Sequence, residues 1–350
     1  MLRRLIPAIL GVCLLATQFI THPGLASAGQ ITPDRIPPHP GPSYLYSHFR
    51  DDDATHLRLS WSTNGTDWID INANGSYQAQ NLRDPSVTWS NGTFYFLATP
   101  AADAKLQFFS SSDLVHFSGI TLIDMASYVP GATAAWAPEW FVNNDGQIYF
   151  FVAVSTASNP FDYTTAFTPW LVRFDPATAT VVGAALMVQV NGTSEGRTFD
   201  FFPYYANGTY YLFYVDQQNN PAVTQPIAFA TASSLGGPYY QQTTPGADYF
   251  GWGNNFQTEA PTLFRLANGC VRVVVDEWTY PPGSTLWGGR AYAPSYEDSC
   301  SSNSAPLFSP GSLSSPRKLV ISSSEHGTVL PLSGVSEPVV TVASWPARLQ

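Results

Sequence analysis

The sequence predicts an all-β protein assembled from one repeated unit of strands. Four stretches share the same order: an acid, a short apolar strand, an Asn-Gly or Asp-Gly turn and a second strand. They begin at Asp84, Glu139, Asp200 and Glu259, a period of about 60 residues. Such a turn between apolar runs predicts a β-hairpin, because both turn residues accept a positive φ. Strand repeats of this length are typical of propeller blades.

Each unit also contains a second pair of strands. Short β-branched and aromatic runs alternate with turn residues in the segments that follow the four hairpins, which are 106–117, 170–183, 227–239 and 289–298. Each unit therefore holds enough strands for one four-stranded blade.

A fifth blade is predicted to be divided between the two ends of the chain. Residues 44–49 and 57–70 match the later strands of a unit but have no acid-bearing strand before them, and residues 326–332 can supply it. Sharing a blade between the ends closes the ring and removes exposed strand edges. We therefore predict a five-bladed β-propeller, closed by the terminal strands, with the acids at one end of a central channel.

The N-terminal segment predicts secretion. Arg3 and Arg4 precede an apolar run that ends in the small residues 26–28, so residues 1–28 have the pattern of a signal peptide. A membrane anchor is the weaker alternative, because the run is shorter than the ~20 residues that a span needs. Residues 29–42 are rich in proline and predict an extended leader, and residues 43–350 predict a single propeller domain.

Composition excludes some partners. Only 11% of residues are charged and the net charge is −10, which suits an extracellular protein and argues against binding to nucleic acid. No segment after the N-terminal one is long and apolar enough to cross a membrane. We expect a secreted monomer without nucleic-acid or membrane partners.

Two further features fit an oxidising compartment. After removal of the signal segment, Cys270 and Cys300 remain, and they predict one disulfide. Glycosylation sequons lie at Asn64, Asn74, Asn91, Asn191 and Asn207. The sequons at Asn91 and Asn207 are equally explained by hairpin turns, so a glycoprotein is expected only from a eukaryotic source.

A ring of carboxylates is suited to hydrolysis of glycosides. That reaction needs one carboxyl group to protonate the leaving oxygen and another to activate water or attack the sugar. Burial or a neighbouring carboxylate favours the protonated form of the acid. The repeated acids therefore indicate a hydrolase.

Four motifs carry a resemblance to a known family: Arg83-Asp84-Pro85-Ser86, Trp136-Ala137-Pro138-Glu139, Phe199-Asp200 and Thr258-Glu259-Ala260-Pro261. In order and spacing the chain resembles glycoside hydrolase family 43, the five-bladed arabinosidases, arabinanases and xylosidases, over the whole predicted mature chain. It departs from the family pattern at Ala260, where glycine is more usual, and after Asp200, where proline is more usual. Both departures bear on substrate preference.

The resemblance implies a role for each motif acid. Asp84 would be the general base, Glu259 the general acid, and Asp200 the residue that orients the acid and favours its protonated form. The family inverts configuration at the anomeric carbon, which implies a separation of roughly 6.5 to 9.5 Å between the base and acid carboxyls.

Several other residues are candidates for binding sugar. Aromatic rings can stack on the apolar faces of sugars, while charged groups bind their hydroxyls. The candidates are Arg83, Trp136, Glu139, Trp252 and Arg290. Blade packing is the alternative for the tryptophans, a surface position for Arg290, and a structural role for Glu139.

The resemblance also implies an ion site and a substrate class. No cofactor is required, but in some relatives a histidine at the position of His326 holds a central calcium ion through water. The predicted function is a secreted inverting hydrolase that cleaves arabinofuranosyl or xylosyl linkages in plant cell-wall polysaccharides. The sequence leaves the choice of pentose and of exo or endo cleavage open.

Two alternative functions remain. A non-catalytic carbohydrate-binding propeller would have no need of a proton donor and acceptor together. Fructan-cleaving propellers also carry Arg-Asp-Pro, but they pair it with Asn-Asp-Pro upstream and Glu-Cys downstream, and neither occurs here.

Overall fold

The computed structural model describes twelve segments of the chain, all inside the compact unit Ile31–Gln350: 43–50, 53–70, 77–78, 81–100, 103–160, 167–193, 197–217, 227–242, 257–279, 291–300, 317–318 and 325–332. In these segments the regular structure is β-strand apart from one 3₁₀ turn, Met125–Ser127. The all-β prediction is therefore confirmed. None of the described residues forms a helix with the length and apolar character to cross a membrane. The predicted signal peptide and leader lie outside the described segments.

The strands form five sheets, named here A to E in chain order. Sheet A consists of β23 (Glu325–Pro331), β1 (Tyr44–Arg50), β2 (Asp53–Ser62) and β3 (Ile69–Asp70), with β4 (Tyr77–Gln78) beside β2. Sheet B consists of β5 (Arg83–Ser90), β6 (Thr93–Thr99), β7 (Lys105–Ser111) and β8 (Thr121–Asp124). Sheet C consists of β9 (Ala134–Val142), β10 (Ile148–Ser155), β11 (Thr168–Asp175) and β12 (Thr180–Val181), with β13 (Leu186–Met187) beside β11.

The last two sheets follow the same order. Sheet D consists of β15 (Arg197–Ala206), β16 (Thr209–Gln217), β17 (Ile227–Ala232) and β18 (Tyr239–Gln241), with β14 (Val190–Asn191) parallel to β18. Sheet E consists of β19 (Gln257–Arg265), β20 (Val271–Thr279), β21 (Ala291–Ser299) and β22 (Arg317–Lys318).

The first strands of the sheets contact one another in succession. The contacting pairs are β5 with β9, β9 with β15, β15 with β19, β19 with β23, and β23 with β5. The two ends of the described chain meet in sheet A, where β23 pairs with β1 in an antiparallel ladder. The arrangement is propeller-like, with the first strand of each sheet facing a common axis.

The hairpin turns that open the sheets are of two kinds. Asn91 and Gly92 have φ of 51° and 82°, and Asn207 and Gly208 have φ of 52° and 81°, the signature of a two-residue turn. In the turns of sheets C and E only the glycine has a positive φ, 77° at Gly146 and 84° at Gly269. Those turns are longer, so a bulge-type connection replaces the predicted two-residue turn.

Aromatic side chains fill the space between neighbouring sheets. Between sheets B and C, the ring of Phe108 lies 5.1 Å from that of Phe174 and 6.4 Å from that of Trp140, measured between centroids. All three side chains are buried. Packing of this kind contributes about 0.5–1.5 kcal/mol per pair beyond the area buried, and it fixes the sheets face to face.

The predicted disulfide is present. Cys270, immediately before β20, is bonded to Cys300, which follows β21, and the two are 30 residues apart. The bond closes the open end of the β20–β21 hairpin, where Val271 pairs with Ser299.

A buried arginine ties sheet E to sheet A. The Arg272 guanidinium donates Nε to Asp298 Oδ1 at 2.6 Å and Nη2 to Asp298 Oδ2 at 2.8 Å. Its Nη1 donates to the Gly65 carbonyl at 2.7 Å and to Thr66 Oγ1 at 2.6 Å, and its Cζ lies 4.0 Å from the centroid of the Tyr296 ring. One side chain thus joins elements from opposite ends of the chain.

We expect Arg272→Ala to lower the free energy of unfolding by about 3 kcal/mol or more, because it leaves the Asp298 carboxylate and the Gly65 carbonyl without their donor. Chemical denaturation followed by tryptophan fluorescence measures this. The matched control is Arg173→Ala on the exposed face of β11, which should change stability by less than about 0.5 kcal/mol. Equal effects of the two substitutions would show that the hydrogen bonds of Arg272 do not stabilise the fold.

Candidate active site

A β-bulge interrupts the first strand of each sheet. In sheets B to E the register of the ladder shifts at a non-glycine residue with a positive φ, here called the bulge residue: Asp84 at 50°, Ala137 at 46°, Asp200 at 54° and Ala260 at 52°. In sheet A the ladder skips His326 between Glu325 and Gly327. A bulge redirects side chains, and a positive φ outside glycine costs of order 1–3 kcal/mol.

The four repeated acids do not occupy one structural position, so the sequence alignment of the acids is wrong. Asp84 and Asp200 are bulge residues, whereas Glu259 lies one residue before a bulge and Glu139 two residues after one. A step of one residue along a strand turns the side chain to the other face. The acids therefore fall into three classes with different environments.

A hydrogen bond joins the bulge residues of the first strands of sheets D and E. The Asp200 carboxylate in sheet D accepts from the backbone N–H of Ala260 in sheet E, with 3.1 Å between Oδ2 and N. Asp200 is buried, and Glu259 immediately before Ala260 is half-buried. The Asp200 side chain therefore holds the backbone beside Glu259, which brings two of the three predicted catalytic acids into one local structure.

Glu139 is only 7% exposed, and its carboxyl group lies among the first strands of sheets A, B and C. It accepts hydrogen bonds from Ser86 Oγ of sheet B, at 2.9 Å, and from Thr328 Oγ1 of sheet A, at 2.8 and 2.6 Å to its two oxygens. The backbone N–H of Trp140 in turn donates to Ser86 Oγ at 3.1 Å. Glu139 thus bridges three sheets, which favours the structural interpretation over sugar contact.

Burial controls the protonation of this residue. Desolvation raises the pKa of Glu139 to about 8; the hydroxyl groups of Thr328 and Ser86 oppose the shift, and the charge of Asp84 adds to it. Glu139 is therefore neutral at neutral pH, and its coupling to Asp84 indicates that the two carboxyls are near each other.

Arg83 and Trp136 are both half-buried and occupy the same position, one residue before a bulge. The Arg83 guanidinium carbon lies 5.1 Å from the centroid of the Phe49 ring. The Trp136 ring lies 4.5 Å from that of Phe167, between centroids. Each therefore keeps exposed surface at the level of the bulge residues.

For three of the predicted site residues the structure describes no side-chain contacts. Trp252 and Arg290 lie outside the described residues. His326 is part of β23 at its register shift, but its side chain is not among those described. Among the side chains that are described, no group of three or more His, Cys, Asp or Glu could hold a metal ion.

One buried histidine was not predicted from the sequence. His48 in β1 pairs with Gly327, and its Nε2 lies 2.9 Å from Ser60 Oγ, which donates to Asp70 Oδ1 at 2.8 Å. Burial lowers the pKa of His48 to about 4, with Asp70 opposing the shift, so the imidazole is neutral at neutral pH. No pattern in the sequence of β1 marks this position.

The hydroxyl partners of Glu139 were not predicted either. The sequence does contain a pattern that places one of them, Ser86, at the same level as Glu139. Pro85, Pro138 and Pro261 each follow a bulge residue. Alignment on these prolines rather than on the acids places Ser86, Glu139 and Thr262 at one level.

The pKa of Glu139 generates a prediction about stability. Its pKa is raised from 4.5 to about 8 in the folded protein, so its contribution is fully present below pH 4.5 and is lost as the pH rises through 8. We expect Glu139→Gln, which stays neutral, to remove a decline of a few kcal/mol in the free energy of unfolding between pH 5 and 9. Denaturation at a series of pH values measures it.

The control for this experiment is Asp145→Asn, which alters an exposed acid in the adjacent turn. Its stability profile should run parallel to that of the unaltered protein. A Glu139→Gln profile that also runs parallel would show that Glu139 ionises alike in the folded and unfolded chains.

Comparisons with known proteins agree with this geometry. Among solved structures, a thermostable family-43 glycoside hydrolase is 16% identical with a TM-score of 0.52, covering 80% of this chain and 93% of that one. An endo-arabinase from Bacteroides thetaiotaomicron VPI-5482 is 14% identical with a TM-score of 0.52, covering 73% and 89%. A xylan beta-1,4-xylosidase from Bacillus halodurans C-125 is 16% identical with a TM-score of 0.51, covering 76% and 54%. At identities this low, the TM-scores show a shared fold and nothing more.

Sequence comparison supplies the family. No curated protein sequence matches the chain. A family model described as a probable glycosyl hydrolase domain, and related to glycoside hydrolase family 43, matches residues 39–336. Because this match spans most of the chain, the chain belongs to the glycoside hydrolases of the family 43 group.

Proposed function

We propose that the chain is an inverting glycoside hydrolase that cleaves arabinofuranosyl or xylosyl linkages in plant cell-wall polysaccharides. The observation that carries the proposal is the placement of Asp84, Asp200 and Glu259 at or beside bulges of first strands, with the Asp200 carboxylate bonded to the N–H next to Glu259. Strained backbone of this kind is concentrated at functional sites.

The scaffold of the proposed site is a five-bladed ring. Its support is the succession of contacts among the five first strands and the β1–β23 ladder. Polar bonds between neighbouring sheets add to this support, for example from Ser47 Oγ to the Pro85 carbonyl at 2.7 Å and from the Val329 N–H to Thr262 Oγ1 at 3.2 Å. A closed ring directs the starts of all first strands to one end of the axis.

The reaction divides between two carboxyl groups. Glu259 gives its proton to the leaving oxygen as the glycosidic bond breaks, and Asp84 takes a proton from the water that attacks the opposite face of the sugar. The products are a hemiacetal of inverted configuration and a free alcohol. Asp200 is a positioning residue, since its carboxylate fixes the backbone beside the acid.

Pentose-containing chains are the proposed substrates. The neighbours in structure include proteins named as a xylosidase and an endo-arabinase, and the motifs of this chain are those of the same family. Arg83 and Trp136 retain exposed surface beside the acids, which suits a hydroxyl contact and ring stacking. Trp252 and Arg290 complete the proposed sugar-binding set.

The proposal also includes secretion and a calcium site. Secretion is supported by the pattern of residues 1–28 and by the disulfide, which persists in oxidising compartments. The proposed water-mediated calcium site rests on the position of His326 alone, and no step of the reaction uses an ion.

We expect the first product of arabinofuranoside or xyloside hydrolysis to carry the inverted anomeric configuration, because water attacks the face opposite the leaving group. Proton NMR during the first minutes, before mutarotation, identifies the anomer. Linear arabinan, branched arabinan and xylan tested side by side decide the pentose and the exo or endo mode. A product of retained configuration would contradict the assignment of Asp84 as a general base.

We expect Glu259→Gln to lower kcat on oligosaccharides by about 10²–10⁴-fold, because it removes the proton donor. Initial rates of sugar release measure this effect. Asp145→Asn is the control and should retain full activity, since Asp145 lies in an exposed turn. If Glu259→Gln remains fully active, the general acid lies elsewhere.

A further inference from the structure

A second carboxyl group faces Glu259 from the neighbouring strand. Asp276 of β20 is paired directly with Glu259 of β19 in the antiparallel ladder. Directly opposed residues of such a ladder project to the same face of the sheet, with Cβ atoms about 4.5–5.5 Å apart. Asp276 is 3% exposed, whereas Glu259 is half-buried. A buried acidic residue therefore lies beside the proposed general acid, on the same face of the sheet.

This arrangement distinguishes sheet E from the other four sheets. The residues opposite the position before the bulge are Phe49 in sheet A, Thr99 in sheet B, Ala153 in sheet C and Val215 in sheet D. None of these can ionise. Among these five positions, only the one opposite Glu259 holds an acid, Asp276.

We propose that Asp276 is a positioning residue for the general acid, sharing one proton with the Glu259 carboxyl and orienting it toward the leaving oxygen. This inference rests on the proposed function. Two adjacent carboxyls in a partly buried site disfavour simultaneous ionisation. The direct pairing of Asp276 with Glu259 in the ladder is the observation on which the inference stands.

Other ionisable residues belong to strands that contact β19. Asp200 of β15 uses its Oδ2 to accept from the Ala260 N–H, and Asp216 of β16 accepts from Gln241 Nε2 at 3.2 Å. Glu325 and His326 belong to β23, which also contacts β19. Asp276 differs from all of them because its backbone is directly paired with that of Glu259.

The test measures how strongly hydrolysis depends on the leaving group. A proton donor matters little for a dinitrophenyl glycoside, whose leaving group departs as a stable anion, and matters greatly for a phenyl glycoside. We expect Asp276→Asn to leave kcat on the dinitrophenyl substrate within about threefold and to lower kcat on the phenyl substrate about 10–100-fold. Loss of structural integrity alone would lower both rates equally.

The matched control is Asp216→Asn, which removes another fully buried acid, on the second strand of sheet D, where it is paired with Thr198. It should alter stability without changing the ratio of the two rates. Asp276→Thr copies the residue found at the same position in sheet B and replaces Asp276→Asn if the latter does not fold.

The outcomes separate this inference from the proposed function. If the unaltered protein hydrolyses neither arabinofuranosides nor xylosides, the proposed function is wrong. If Glu259→Gln steepens the dependence on the leaving group while Asp276→Asn and Asp276→Thr keep the unaltered ratio, Glu259 is the acid and Asp276 does not assist it. A steepened dependence in either Asp276 variant supports the inference.

Discussion

The bulge in each first strand is the constraint on which the rest of the site depends. In a regular ladder, side chains alternate between two faces that are both covered by neighbouring sheets. The additional residue at a bulge breaks this alternation and turns Asp84 and Asp200 out of the packed faces. The strain of order 1–3 kcal/mol at each bulge is offset by continuous ladders on one side and by aromatic packing between the sheets. The ladders and the aromatic packing of the scaffold therefore stabilise the strained backbone of the proposed site.

Polar chemistry at the axis follows from the same geometry. Residues two positions after the bulge face inward, where water is excluded, so each polar group among them needs a partner from another sheet. Ser86, Glu139 and Thr328 satisfy one another across sheets B, C and A. The raised pKa of Glu139 reflects the cost of a carboxylate at this position. Because Glu139 is neutral at neutral pH, it places no negative charge near Asp84.

The sequence predicted correctly those features that depend on a few neighbouring residues or on composition. The Asn-Gly turns at Asn91 and Asn207, the Cys270–Cys300 pair and the family motifs depend on adjacent residues or on composition, and they were predicted correctly. The equivalence of the four acids was wrong because the feature shared by sheets B to E is a backbone conformation, and either an acid or an alanine can occupy it. The pairing of Glu259 with Asp276 was not predictable, because a bulge of unknown position shifts every later partner in the ladder.

One repeated backbone thus produces several distinct chemical positions. An acid at the bulge itself, as in sheets B and D, is turned away from the ladder and is available to water or to the backbone of the next sheet. An acid before the bulge, as in sheet E, still belongs to the ladder and acquires the opposing residue as its neighbour. An acid after the bulge, as in sheet C, is buried at the axis. The residues proposed as base and proton donor, and the buried Glu139, therefore differ in environment because they stand at positions that differ by one or two residues along equivalent strands. Repeated strands can in this way place acids in different surroundings.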